Sequence, residues 1–208
     1  YKLENQSVVI KATEFDGKLD VEVIAEAEAA LKAATWAEIA QAVANTQDAV
    51  QAKLLEQAKA AVNNANVTVT VDVTAFTAAV KGTAATTKEG TNGSATFTVT
   101  ATIGSEEYKL ENQSVVIKAT RFTGVLDVDA VEAAKKALVD TKVIVKIGAT
   151  ESEIRTTVEN YLKALMKGDA KGVTLAITAV DGAKYTVSVA KGNVTAEKTI
   201  TITVEEED

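Results

Sequence analysis

Alternating polar and apolar residues mark five stretches of the chain: Val67 to Phe76, Ala95 to Ile103, Val173 to Val180, Tyr185 to Ala190 and Lys198 to Val204. Several of them read Thr-Val-Thr-Val or Thr-Ile-Thr-Ile. Val or Ile at every second position, alternating with Thr, predicts a strand that buries Val and Ile on one face and shows Thr on the other. Other stretches carry the helical period. Val50, Leu54, Ala58 and Ala61 recur along one helix face, and Ile154, Val158, Leu162 and Leu165 do the same further on. Thr46 and Thr150 stand where N-caps belong, so helices are expected over about 47–62 and 151–167, ended by Asn63-Asn64 and by Gly168. Ahead of each lies a stretch rich in Ala, Glu and Lys, over 21–34 and up to about Val139. These predict a first helix in each half, with Asp20 as one N-cap and Asp127 or Asp129 as the other.

The halves are related by an internal repeat. Residues 1–13, Tyr-Lys-Leu-Glu-Asn-Gln-Ser-Val-Val-Ile-Lys-Ala-Thr, return unchanged at 108–120. That spacing is a domain length rather than a solenoid repeat. One half also corrects the other. Trp36 to Ala44 alone reads as helix, but its counterpart Thr141 to Ile147 is plainly a strand. Aligning Thr46 with Thr150 pairs Ile39 with Val143, Gln41 with Val145 and Val43 with Ile147, which predicts a short strand over 37–43. Phe97-Thr-Val-Thr aligns with Tyr185-Thr-Val-Ser, so the repeated peptide at 108–120 matches the last strand of the chain. It is therefore a closing strand. Residues 1–13 are expected to close a preceding repeat, with domain 1 over 14–120 and domain 2 over 121–208. The fold class expected is α+β: two tandem two-layer domains, each with two helices packed on a mainly antiparallel sheet of about four strands.

Composition narrows the chemistry. Net charge is −7 and the pI is near 4.9, which argues against nucleic-acid binding through phosphate neutralisation. No apolar run reaches the length of a membrane span, so no membrane insertion is expected. The chain has no Cys, His or Pro, which removes thiol chemistry, disulfides, the usual general base and the usual transition-metal ligand. Aromatics make up only 4% of the residues, so few bulky walls are available for a deep pocket.

Ala44-Asn-Thr46, Val67-Thr-Val-Thr70, Phe76-Thr-Ala-Ala-Val80, Gly82-Thr-Ala-Ala85, Gly90-Thr-Asn-Gly-Ser94 and Phe97-Thr-Val-Thr100 follow one another in domain 1. That order resembles tandem modules of large bacterial cell-surface proteins of the adhesin-like, Gram-positive type. The resemblance covers about residues 20–103 and reaches domain 2 only through the internal alignment. It implies an extracellular, cell-surface location and a role as stalk, surface-layer, fibre or adhesive spacer, and it transfers no functional residue.

Candidate sites are few. The orphan copy at 1–13 is expected to add to a sheet edge of its own chain or of another molecule, which makes Leu3, Val8, Val9, Ile10 and their twins Leu110, Val115, Val116 and Ile117 the candidate assembly residues. Partners would be the protein itself or adjacent repeats. The alternative is an adhesin module for a glycan or host protein, with Trp36, Thr91 and Asn92 facing the ligand. Gly82, Gly90 and Gly93 lack the Lys-Ser/Thr and following helix of a phosphate loop, so 82–94 reads as a flexible strand connection. Asp16, Asp20 and Glu22, or Asp127, Asp129 and Glu132, could ligate calcium through oxygen, but acidic residues are expected at helix N-termini in any case. Lys11, Lys118 or Lys198 opposite an Asn or Asp could form an isopeptide bond. No catalytic carboxylate pair stands out for a glycosidase. No enzyme activity, cofactor or resident metal is expected.

Overall fold

The computed structural model describes residues 7, 11–13 and 17–207. In chain order they form α1 (Asp20–Ala33), β1 (Ile39–Ala40), α2 (Gln47–Val62), β2 (Thr68–Thr77), β3 (Gly93–Ile103), β4 (Glu106–Lys118), α3 (Asp127–Ala137), β5 (Thr141–Lys146), α4 (Glu151–Ala164), a 3-10 turn (Gly168–Ala170), β6 (Thr174–Asp181), β7 (Lys184–Lys191) and β8 (Val194–Glu207). The fold is α+β with two four-stranded sheets. Their strand orders are β1-β4-β3-β2 and β5-β8-β7-β6, so one plan is used twice. β5 runs parallel to β8, while β8, β7 and β6 are antiparallel.

In the first sheet Val69, Val71 and Val73 alternate inward from β2, and Ala95, Phe97, Val99 and Ala101 from β3. Val50, Leu54 and Ala58 of α2 are also fully buried, while Ala61 is only partly covered. In the second unit Val143, Val158, Leu162, Ile177, Tyr185, Val187, Ile200 and Ile202 belong to one cluster, with Ile154 and Leu165 packed against it. Each fully buried Leu, Ile, Val or Phe contributes about 1.5–3 kcal/mol relative to exposure.

The duplication extends to irregularities. The β2–β3 register slips between Val73 and Ala75, and the β6–β7 register slips between Ile177 and Ala179. At each slip the intervening threonine donates to the facing strand: Thr74 Oγ1 to the Thr96 carbonyl at 3.2 Å, Thr178 Oγ1 to the Thr186 carbonyl at 3.3 Å. A bulge leaves a backbone acceptor without its ladder partner, and a threonine hydroxyl satisfies it without leaving the strand.

Three expectations are corrected. The short strand over 37–43 is only Ile39–Ala40. Its end coincides with Gln41, which occupies the place of Val145: the Gln41 N–H donates to the Lys118 carbonyl at 2.9 Å, its Nε2 to the Ala79 carbonyl, and its Oε1 accepts from the Thr120 N–H. A side chain that bonds two other backbone segments cannot also face a core. The aligned pair Ile39 and Val143 is buried, and the aligned pair Val43 and Ile147 is exposed. The N-caps of α1 and α3 are Leu19 and Leu126 rather than aspartates, and Asp20 and Asp127 are the first helical residues. Glu22 Oε2 reaches back to the Leu19 N–H at 2.9 Å and does part of a cap's work. Finally, α4 ends at Ala164, and Gly168 instead opens the 3-10 turn with a φ of 57°.

Thr46 and Thr150 cap as expected, accepting from the Ala49 and Glu153 N–H groups. Asn63 closes α2 in the left-handed conformation. By contacts the chain divides into two compact units. The second takes Ala40–Ala42, Ala79–Gly93 and Lys118 onward, and the rest falls in the first.

Candidate functional site

The expected assembly residues on the repeated peptide divide by face. Val115 and Ile117 of β4 are buried, Val116 is exposed and Leu110 is half-buried. β4 lies between β3 and the two-residue β1, so Val115 and Ile117 belong to the core of the first sheet. Their twins Val8, Val9 and Ile10, and Leu3, lie outside the described residues. Ser7, Lys11, Ala12 and Thr13 are exposed and carry no strand assignment.

Trp36 is half-buried, with its ring edge-on to Phe97 at 5.0 Å between centroids and an interplanar angle of 88°. Its Nε1 donates to Gln113 Oε1 at 3.1 Å. Both the indole ring and its single donor are thus engaged inside the first unit, as for an aromatic anchor. Tyr108 lies under the Lys32 ammonium at 5.7 Å, Tyr161 accepts from Thr141 Oγ1, and Tyr185 is buried. The hydrogen bond from Lys32 to Glu28 raises the lysine's pKa above its ordinary value.

Thr91 and Asn92 belong to the loop between β2 and β3, and this loop is bonded throughout. Thr91 and Val80 exchange backbone hydrogen bonds of 2.7 and 2.8 Å, forming an isolated bridge. The loop then holds the segment that leaves β4. Asn92 Oδ1 accepts from the Ala119 N–H at 2.9 Å. Gly82 N–H donates to the Thr120 carbonyl at 3.0 Å, the Lys88 carbonyl accepts from Phe122 N–H at 2.7 Å, and the Ala84 carbonyl accepts from Asp127 N–H at 2.8 Å. Arg121 pairs with Glu89 at 2.9 Å, but both are well exposed and the pair adds little. Gly90 has a φ of +72°, and a Cβ there would collide with the Val80 carbonyl; one on Gly82 would collide with the Lys88 carbonyl. The glycines therefore permit close backbone approach. The expectation of a flexible connection is corrected: the chain turns on itself at Val80–Thr91 and uses its backbone groups to grip 119–127. Trp36 falls in the first unit, whereas Thr91 and Asn92 fall in the second.

Asp20 and Asp127 do matching work. The Asp20 carboxylate lies against Gly104 in the β3–β4 turn, and the Asp127 carboxylate against Gly192 in the β7–β8 turn. Both glycines have a φ of 55°. Asp127 is the one buried charged residue among the described residues, at 7% exposure. A carboxylate in the first helical turn meets the positive end of the helix dipole. The sequence places Asp20 and Asp127 at helix starts, but nothing along the chain pairs them with Gly104 and Gly192.

The other candidates disperse. Asp16 lies outside the described residues, Glu22 is held at Leu19 and Glu132 pairs with Lys135. Among the described residues no group of three or more acidic side chains is placed to hold a metal ion. Lys198 Nζ donates to the Lys135 backbone carbonyl at 2.9 Å, while Lys11 is exposed. A groove of about 740 Å³ runs beside the edge strand β5, between Ile144, Ile147 and the first turns of α4. Glu153 in that wall carries a lowered pKa, because its carboxylate accepts first from the Thr150 hydroxyl and then from the Thr150 N–H. No described helix is long and apolar enough to cross a membrane. Compared with known protein families, curated proteins and solved structures, the chain matches none.

Proposed function

We infer that the protein is a non-enzymatic structural repeat module of an extracellular, cell-surface protein, serving as a stalk, surface-layer, fibre or adhesive spacer. One observation carries this reading: the 79–93 loop commits its backbone groups to the segment 119–127 that joins one repeat plan to the next. A spacer under tension needs its junctions bonded, because a bare linker extends before any domain resists. Three backbone bonds and the side-chain bonds from Asn92 and Gln41 must break before 119–127 can straighten, each with a net worth of about 0.5–1.5 kcal/mol. The duplicated plan, the threonine-rich strand faces and the negative charge fit the same role.

Amide exchange on the full chain tests it. Asn92→Ala and Gly82→Ala should each raise exchange at residues 119–127, with α4 and β7 unchanged. Unchanged exchange at 119–127 would remove the support. Binding to a glycan or matrix-protein panel that is lost on Thr91→Ala would replace the spacer with an adhesin.

A further inference from the structure

We propose that the sheet of the first unit accepts residues 1–13 of a second copy in place of its own β4, and that the same residues of its own chain cannot take that place. This deepens the structural-module reading, since it supplies a way for copies to assemble, but it rests on different atoms from the loop and linker.

Sequence identity specifies the occupant. Residues 1–13 and 108–120 are the same thirteen residues in the same order. What residues 108–118 of β4 offer β3, residues 1–11 offer equally: Val8 and Ile10 for the buried Val115 and Ile117, and Gln6 for Gln113, which receives the Trp36 indole hydrogen bond. No other stretch of the chain repeats that set.

Geometry decides which molecule supplies it. The start of α1 is fixed at the β3–β4 turn, where the Asp20 carboxylate packs on Gly104. In the place of β4, residues 1–11 would run away from that turn to the position of Lys118. β4 starts at Glu106 and its alternation breaks at Asn112, where φ is 55°, so the strand carries Lys118 about 36 Å from its start, counting one residue as lost to the irregularity. The chain would then have to return from Lys11 to Asp20 in nine residues, which reach at most about 32 Å when drawn taut. The return does not close. A second copy has no such tether, and its 1–13 can lie in the slot with its own α1 beyond the far end of the strand.

In the intact chain the two-residue turn Gly104-Ser105 holds β4 beside β3, and such a short tether gives an effective concentration on the order of millimolar or above. Exchange therefore requires β4 to be displaced, as expected of a strand swap between identical repeats. Each swapped chain still offers its own residues 1–13, so growth is head to tail.

The test cripples β4 in the full chain with Val115→Asp and Ile117→Asp and leaves residues 1–13 intact. Light scattering after chromatography should show concentration-dependent oligomers. Excess synthetic peptide of sequence YKLENQSVVIKAT should convert them to monomers with native Trp36 emission. A peptide carrying Val8→Asp and Ile10→Asp should do neither. Failure of the unmodified peptide to restore Trp36 emission would overturn the slot assignment. A variant that stays monomeric at every concentration with native Trp36 emission would overturn the exclusion of the chain's own strand. Neither result touches the loop-and-linker exchange measurement.

Discussion

Gly192→Ala and Gly182→Ala make a controlled pair. Both glycines open two-residue hairpin turns in the second sheet, with φ of 55° and 58°. An alanine at either must adopt the left-handed region, at a cost of about 1–2 kcal/mol. At Gly182 a new Cβ meets nothing within 4 Å, so that cost is the whole effect. At Gly192 the Cβ collides with Asp127 Oδ2, and Asp127 Cγ lies only 3.2 Å away. The carboxylate must move from its buried place at the start of α3 and lose its helix-dipole interaction, a further 0.3–1 kcal/mol or so. Gly192→Ala should therefore destabilise by about 1.3–3 kcal/mol. The Asp127 Cβ stands 3.9 Å from the new methyl, an ordinary contact. In an Asp127→Ala background the excess should vanish and Gly192→Ala should cost what Gly182→Ala costs. Urea unfolding of the full chain, read by amide exchange over residues 127–207, gives all four free energies. Equal losses for the two glycines in the parent chain would refute the reasoning, as would an excess that survives removal of the carboxylate.

Phe97→Ala should cost about 3–5 kcal/mol in the first unit, because a fully buried ring and its edge-on contact with Trp36 are lost together; Trp36 emission followed through a denaturant titration checks it. Thr178→Val keeps the β-branched shape but removes the bulge hydroxyl bond to Thr186, and should cost about 1 kcal/mol in urea unfolding read by amide exchange over residues 127–207. Glu153 is held below the usual carboxylate range by Thr150. Its folded pKa is depressed, so its contribution is present above the unfolded pKa and lost as pH falls through the folded one. Exchange protection in the first turn of α4 should therefore weaken on acidification, and Thr150→Val should flatten that pH dependence. A profile unchanged by Thr150→Val would assign the acid sensitivity to other carboxylates.

The secondary structure was largely legible because it rests on local periodicity. Val69, Val71 and Val73 alternate in the sequence and alternate into the core, and Thr46 and Thr150 cap the helices they precede. Comparing the copies supplied what one alone hid, as when Thr141 to Ile147 exposed a strand beneath the Ala-rich residues around Ile39. The internal duplication likewise marks 108–120 as a closing strand, and β4 over Glu106–Lys118 is the last strand of the first sheet in chain order.

What the sequence left open concerns backbone groups meeting across long separations. Gly82 and Gly90 announce freedom of φ, but not that the freed backbone meets the Thr120 carbonyl or turns back on Val80. Asp20 and Asp127 are correctly placed at helix starts, yet their use as packing against Gly104 and Gly192 depends on hairpins more than sixty residues away. Side-chain period is a property of neighbouring residues and is written along the chain. Which N–H finds which carbonyl in a loop is set by how the strands on either side are closed, and only the folded chain decides that.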